Sequence, residues 1–403
     1  MDIKNKKIKS VSNFSILVIL FWFFIGENVL RCFNYWSKDN LLFEDVSMWK
    51  LLHPAGYLLA FWGIFSFKKL PQYKCYNYMY IIFLIIYIFS IFIHHRLNLF
   101  NFLPIFILPI LCLQISELYS EKQIRLLKKG ILSFFIAECI IAILEKVLHI
   151  NFFYTGVEED VFRSYAFLGH CLQNAHIVSI LMCFILFSNI KYKYYYLLIG
   201  EISMLCFESR SCTVYWIIAF LVYLLYLGFA EHKFGKVTKI VLVIAIIAVP
   251  LANQLIEAGF GKRLLETGLG GESTDVRYEI WDLFDYVSVS DILFGLESKT
   301  LDSIRLLAGL SDTRIENFVI GYTMAYGAII TALLFLIWTF FYFKIMKYKG
   351  YSIFQILFTL STLYILAWTN NSFMVTNCCL YLMLSICIII FSSNKKTQNI
   401  LIK

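Results

Sequence analysis

Charged residues are scarce in this chain of 403 residues: Asp, Glu, Lys and Arg make up only 15% of it, whereas hydrophobic residues make up 60%. The mean hydropathy of +0.74 lies outside the range of soluble globular proteins. The net charge of +8 does not predict nucleic-acid binding, because the basic residues cluster in short loops between apolar runs. The composition therefore excludes a soluble protein and predicts an integral membrane protein.

Paired cysteine spacings are also lacking, since the 11 cysteines are scattered and lie mostly inside apolar runs. This distribution predicts small core residues rather than disulfides or a zinc site. A small-residue cleavage site is lacking after the first apolar run, which predicts a retained span rather than a cleaved signal peptide.

Apolar runs near the length needed to cross about 30 Å of hydrocarbon recur along the whole chain. Because lipid cannot satisfy backbone polar groups, such runs must form helices that pack as a bundle. The sequence predicts an all-α polytopic membrane protein, a single domain over residues 1–403 with about twelve spans. The predicted spans cover residues 13–32, 48–67, 76–95, 97–115, 127–148, 165–187, 192–207, 212–229, 237–256, 317–343, 351–369 and 373–391.

Lysine and arginine are concentrated in alternate loops, such as "KNKKIK", "EKQIRLLKK" and "KIMKYKG", whereas the loops between are short, acidic or neutral. By the positive-inside rule, both termini lie in the cytoplasm. Residues 257–316 then form a long outer loop between the ninth and tenth spans. Helical apolar spacing over 279–296 and 299–310 predicts two amphipathic helices on the outer surface.

Three arginines lie near span boundaries on this outer face, where positive charge is otherwise depleted: Arg163, Arg210 and Arg277. A guanidinium group is a planar fork that suits phosphate oxygens. Each arginine alone could equally snorkel to the interface or pair with a nearby acid, such as Glu208 for Arg210. Three together on one face favour a phosphorylated substrate.

The stretches around these arginines resemble motifs of the O-antigen ligase/polymerase superfamily, polytopic enzymes that act on undecaprenyl-diphosphate-linked glycans. "ESRSCTVYW" is similar to the family's SR(G/S/T) element, and "RYEIW" is similar to its Arg-x-x-x-Leu element with Trp281 in place of leucine. "RSYAFLGHCLQNAHIVSILM" is similar to an earlier Arg…Phe…His-Pro-Asn stretch. Its matching residues are Arg163, Phe167, His170 and Asn174.

"ENFVIGYTMAYGAI" is similar to the family's His-(Asn/Ser/Gln)-x9-Gly pattern, with Asn317, nine residues and Gly327. Glu316 stands where the ligase branch carries histidine. This departure favours the polysaccharide polymerase branch over ligation onto a lipid A core.

The resemblance implies metal-independent glycosyl transfer, without a nucleotide sugar or cofactor, from an undecaprenyl-diphosphate-linked glycan to a sugar hydroxyl of a lipid-linked acceptor. Arg210 and Arg277 would stabilise the leaving diphosphate. Glu316 would act as base or orient the acceptor, with Asp275 as second choice. No acidic pair of the DxD kind occurs in the predicted outer segments. Further substrate contacts are expected from Arg163, Asp275, Asn317, Tyr278, Trp281, His170 and Asn174.

The resemblance also implies a place in a bacterial cytoplasmic membrane, in capsule, O-antigen or exopolysaccharide synthesis, beside a chain-length regulator and a flippase. The alternatives are a flippase or transporter of the same lipid-linked units, an O-antigen ligase, an acyltransferase and a cell-division-type peptidoglycan polymerase. Transporters tend to show internal repeats and midplane binding residues. This chain shows no similarity between its halves, and its polar residues favour one face.

Several intramembrane charges lie outside these motifs. Glu27 and Arg31, four residues apart in the first span, are predicted to pair on one helix face. Glu138 and Glu145 in the fifth span have no predicted role. His170 is predicted to lie within the sixth span, with core hydrogen bonding favoured over metal binding.

Overall fold

The computed structural model describes residues 2–33, 52–67, 70–71, 73–94, 103–153, 162–257, 259–261, 279–310, 317–368 and 380–392. All regular elements in these residues are helices. Three segments are long and apolar enough to cross a membrane, namely Lys74–Ile93, Arg210–Ala230 and Ala328–Tyr348. The all-helical prediction is confirmed for the described residues, and the three apolar segments indicate association with a membrane.

Sixteen α-helices occur within the described residues. The first eight are α1 Asp2–Phe24, α2 Glu27–Cys32, α3 Pro54–Ser66, α4 Lys74–His94, α5 Leu108–Ser116, α6 Glu121–Leu148, α7 Cys171–Phe187 and α8 Lys193–Cys206. The others are α9 Arg210–Leu225, α10 Phe234–Glu257, α11 Val289–Phe294, α12 Ser298–Leu307, α13 Phe318–Tyr326, α14 Ala328–Tyr348, α15 Ile353–Trp368 and α16 Leu380–Ile390. Short π-helices, Leu103–Ile107 and Tyr226–Ala230, adjoin α5 and α9, and Ile280–Tyr286 is a 3₁₀-helix.

The centre of the bundle is α16, in which every side chain is buried. It packs against α5 and α7, and α7 is itself buried along almost its whole length. Trp338 of α14 stacks on Tyr381 of α16, with 4.6 Å between ring centroids. A helix that is apolar all round belongs in the interior of such a bundle, so α7 and α16 form its buried core.

The first predicted span, 13–32, is wrong in its continuity, because α1 ends at Phe24 and α2 begins at Glu27. A Cβ atom at Gly26 would lie only 2.4 Å from the carbonyl oxygen of Phe167. The freed carbonyl of Ile25 accepts a hydrogen bond of 2.7 Å from His53, which also caps α3. The helix therefore breaks where another backbone segment approaches it closely.

The tenth predicted span, 317–343, is likewise interrupted, because α13 ends at Tyr326, Gly327 caps it and α14 begins at Ala328. Gly327 has φ +84°, and a Cβ there would lie 2.3 Å from the carbonyl oxygen of Leu293 in α11. Gly295 packs against the same junction, because a Cβ atom added to it would lie 2.6 Å from the backbone nitrogen of Gly327. Two glycines thus let the long loop contact the junction between α13 and α14.

The long loop contains helices, but the first is shorter than predicted. The predicted helix over 279–296 is wrong in its continuity: a 3₁₀-helix ends at Tyr286, Val287 is extended, and Ser288 caps α11 through a capping box with Asp291. The second predicted helix, 299–310, corresponds to α12. A small apolar cluster packs these elements against α13; it consists of Ile280, Leu283, Leu296, Ile304, Leu310, Ile320 and Met324.

Candidate functional site

Residues 162–170 form a non-helical segment that leads into α7, and Arg163 lies within it. Glu145 of α6 binds the segment through its carboxylate, which accepts hydrogen bonds from the backbone nitrogens of Tyr165 (2.8 Å) and Ala166 (3.0 Å). The other oxygen of Glu145 accepts from the nitrogen of Phe152 (2.9 Å). A buried carboxylate therefore supplies the partners that backbone amides outside a helix require.

Asn28 of α2 holds the same segment through both its backbone and its side chain. Its own backbone nitrogen donates to the carbonyl of Phe167 (3.1 Å). Its side-chain nitrogen lies 2.9–3.2 Å from four carbonyl oxygens, those of Tyr165, Ala166, Leu168 and Gly169. Buried backbone groups outside regular structure must find hydrogen-bond partners, and α2 and α6 provide those partners.

The sixth predicted span, 165–187, is wrong at its beginning, because the helix starts at Cys171 and His170 precedes it as the N-cap. The His170 ring accepts from the backbone nitrogen of Leu172 (3.3 Å), and the Gln173 side chain completes the capping box. The ring also lies edge-on to Tyr165, with 5.9 Å between centroids. His170 thus fixes the junction of the segment with α7.

Arg163 is a largely buried cation, only 9% exposed. One guanidinium nitrogen lies 3.6 Å from the sulfur of Cys171, the first residue of α7. Asn174, one turn along α7, is fully buried and donates from its side chain to the carbonyl of Tyr165. Arg163, His170 and Asn174, which the sequence motif grouped, therefore meet around one short stretch of backbone.

Lys146 and Glu208 connect this stretch to the turn that carries Arg210. The two side chains form an ion pair of 2.6 Å with 4% and 0% exposure, and the ammonium group also donates to the carbonyl of Phe162 (2.9 Å). The backbone nitrogen of Ser164 donates to the carbonyl of Cys206 (3.1 Å). Glu208 adopts a left-handed conformation, φ +52°, in the turn just before α9.

Arg210 is the first residue of α9 and is half-buried. Because the segment of Arg163 is bonded to the turn of Arg210, two arginines that are distant in sequence occupy adjoining backbone. The sequence motifs do not predict the buried ion pair that joins them. Glu145 and Lys146 follow Glu138 by seven and eight residues, or about two turns of α6, and this spacing of charges within an apolar helix was the available signal.

Glu27 and Arg31 form the ion pair that the sequence predicts, with 2.5 Å between a carboxylate oxygen and a guanidinium nitrogen. The pair lies beside the segment: the second carboxylate oxygen of Glu27 is 2.7 Å from the position that a Cβ at Gly169 would take. Glu138 also contacts the segment, since it accepts from the nitrogen of Phe167 (3.3 Å).

Four predicted site residues, Arg277, Asp275, Tyr278 and Glu316, lie outside the described residues. Asn317 caps α13, because its side-chain oxygen accepts from the backbone nitrogens of Val319 (3.0 Å) and Ile320 (3.3 Å).

The Asn317-x9-Gly327 pattern therefore brackets one nine-residue helix, with a side-chain cap at its start and a positive-φ glycine at its end. Trp281 lies in the long loop, is 51% exposed and stacks on Phe284.

The described part of the chain contains no group of three or more His, Cys, Asp or Glu side chains placed to hold a metal ion. The candidate site contains two arginines, Arg163 before the start of α7 and Arg210 at the start of α9. Hydrogen bonds and the ion pair of Lys146 and Glu208 hold the backbone next to them. A guanidinium group that its surroundings hold in position needs little reorganisation to bind an oxyanion.

Comparison with protein-family models gives no match to this chain, and comparison with curated proteins gives no relative. The resemblance to the O-antigen ligase/polymerase superfamily therefore rests on the motifs quoted above.

Proposed function

We propose that this chain polymerises oligosaccharide repeat units carried on undecaprenyl diphosphate, to make a capsule, O-antigen or exopolysaccharide. The observation that carries the proposal is the junction of two arginine-bearing segments. The buried ion pair of Lys146 and Glu208 joins the backbone of Arg163 to the turn of Arg210. A lipid diphosphate carries several negative oxygens, and preorganised cations match that charge.

In the proposed reaction, the acceptor hydroxyl oxygen attacks the anomeric carbon of the donor glycan. The bond from this carbon to the diphosphate oxygen breaks, and the lipid diphosphate leaves with the electron pair. Arg210 and Arg277 stabilise the charge that develops on the leaving group, while Arg163 contacts the substrate. Glu316 accepts the hydroxyl proton, with Asp275 as the second candidate.

The proposed topology has about twelve spans, cytoplasmic termini and the reacting groups on the outer face of a bacterial cytoplasmic membrane. Support comes from contacts between loops assigned to one side. Glu117 pairs with Lys349 (2.7 Å), and Gln123 bonds to Asn13 (2.7 Å). These residues all lie in or beside basic loops. In contrast, the contact of Lys146 with Glu208 joins the end of α6 to the turn before α9, both assigned to the outer side.

The test is the glycan ladder of cells in which only this gene is deleted, complemented by wild type or a variant at normal protein levels. Wild type should restore the ladder, whereas Arg163→Ala, Arg210→Ala and Arg277→Ala should leave a single repeat unit. Arg125→Ala is the matched control, because Arg125 is an exposed arginine in the basic first turns of α6. It should keep the ladder.

The outcomes separate the parts of the proposal. Ladders in all three arginine variants would remove the diphosphate-binding role. A ladder in Glu316→Gln would remove the base role and leave the arginines in place. Repeat units trapped on the cytoplasmic side of deleted cells would instead identify a flippase.

A further inference from the structure

An apolar groove of about 350 Å³ lies between the end of α9 and the beginning of α10. All side chains that line it are apolar, and several are strongly exposed; Phe229, for example, is 68% exposed. An exposed groove of this composition favours a hydrocarbon occupant. Its lining includes Leu221, Leu225, Gly228, Phe229, Phe234 and Val237.

Lysines border one end of this groove. Lys233 and Lys236 are exposed and flank Phe234, and both lie close enough to Lys193 of α8 to interact with it electrostatically. Lys193 is anchored by the carbonyl of Leu186 (2.6 Å). Glu231 pairs with Lys233, so the group keeps an excess of positive charge.

The position of these lysines relative to a membrane follows from the helix before them. The segment Arg210–Ala230 is apolar enough to cross a bilayer, so the residues that follow Ala230 emerge at a membrane surface. The groove then lies at the depth of lipid acyl chains, and the lysines lie at the depth of the headgroups. Basic groups between helices at this depth attract anionic lipid headgroups.

We infer that this groove binds an anionic phospholipid, with one acyl chain along Leu225 and Phe229 and the phosphate beside Lys233 and Lys236. A zwitterionic lipid fits the same groove less well, because its own cation faces the lysines. This site lies on α9 and α10 and is independent of the proposed polymerase function.

The test uses the full-length protein in detergent micelles and native mass spectrometry. Phosphatidylglycerol and phosphatidylcholine with identical acyl chains are added in equal amounts, and the lipid retained on the protein is counted. Wild type should retain phosphatidylglycerol preferentially. The double variant Lys233→Gln/Lys236→Gln should lose most of that preference, by about fivefold for each lysine.

Two further variants make the test specific. Lys122→Gln/Lys129→Gln removes the same charge from exposed positions on α6 and should keep the preference. Leu225→Trp fills the groove from an exposed position and should reduce retention of both lipids. Equal retention of the two lipids by wild type, or an unchanged preference in Lys233→Gln/Lys236→Gln, would overturn the inference. The inference would also be overturned if Leu225→Trp converted a dimer to a monomer and still retained lipid. A second copy of the chain would then be the occupant of the groove.

Discussion

Lys146 keeps only 4% of its side chain exposed, and its ammonium group contacts a carboxylate and a carbonyl oxygen. Removing one member of a buried ion pair leaves the other charge without compensation, which costs about 3–5 kcal/mol. Replacing both members by neutral groups costs much less. The pair therefore constrains the position of the Arg163 segment as well as the stability of the bundle.

Lys146→Met should lower the free energy of unfolding in detergent by about 3–5 kcal/mol, because Glu208 stays buried and charged. Lys146→Met/Glu208→Gln should recover much of this loss. Lys122→Met, at an exposed lysine of the same helix, should change the free energy of unfolding by about 0.5 kcal/mol or less. Equal effects of Lys146→Met and Lys122→Met would show that the ion pair contributes little.

Asn28 and Asn317 form hydrogen bonds through opposite ends of the side-chain amide. Asn28 uses its nitrogen as donor to carbonyl oxygens, whereas Asn317 uses its oxygen as acceptor at a helix start. Asn28→Asp should therefore destabilise the protein by about 2 kcal/mol or more, since a carboxyl group would face carbonyl oxygens. Asn317→Asp should be tolerated, because aspartate caps helices as well as asparagine. Unfolding in detergent measures both, and similar losses in the two variants would contradict the assigned orientations.

At the scale of elements, helix breaks decide where the candidate site lies. In the described residues, most of each apolar run is helical, since hydropathy reports which segments avoid water. The runs could not show the breaks at Gly26, at residues 165–170 or at Gly327. Those breaks depend on backbone segments that approach from elsewhere in the chain, and a hydropathy pattern contains no information about such partners.

Gly327→Ala should destabilise the junction of α13 and α14 more than the same change at other glycines. A Cβ there meets the Leu293 carbonyl at 2.3 Å, and φ is +84°. Gly309 has φ +75° with nothing within 4 Å, so Gly309→Ala should show only the cost of the left-handed conformation, about 1 kcal/mol.

Gly235→Ala, at a helical position with nothing within 4 Å, should be neutral or stabilise by up to about 1 kcal/mol. The three melting temperatures in detergent should fall in the order Gly235→Ala, Gly309→Ala, Gly327→Ala. A Gly327→Ala protein as stable as Gly309→Ala would show that the backbone at Leu293 moves away from residue 327 at little cost in free energy.

At the scale of the whole molecule, the charge pattern predicts which loops share a side. A fusion of green fluorescent protein after residue 350 should fluoresce, because the basic loop there is assigned to the cytoplasm. A fusion of alkaline phosphatase after residue 300 should be active, because the long loop is assigned to the outside. Each reporter at the other position should be inactive. A fluorescent fusion after residue 300 would reverse the assignment of that loop.

The sequence carried less information about how the candidate arginines are held than about which arginines are candidates. Arg163 and Arg210 were candidates because positive charge is rare on the face predicted for them. Glu145, Asn28 and Lys146 were not, because their role is to bind backbone groups that are distant along the chain. Spacing within one helix cannot reveal such partners.

The fully buried α16 has a consequence for how the protein is made. Ribosomes synthesise α16 after every other described helix, yet α5 and α7 close around it. Until α16 is in place, those helices expose the surfaces that will later meet it. Assembly of the core therefore waits until α16 has been synthesised, and a product that stops before Leu380 lacks its centre. Such a truncated product is expected to be a substrate for membrane proteases that recognise unassembled helices.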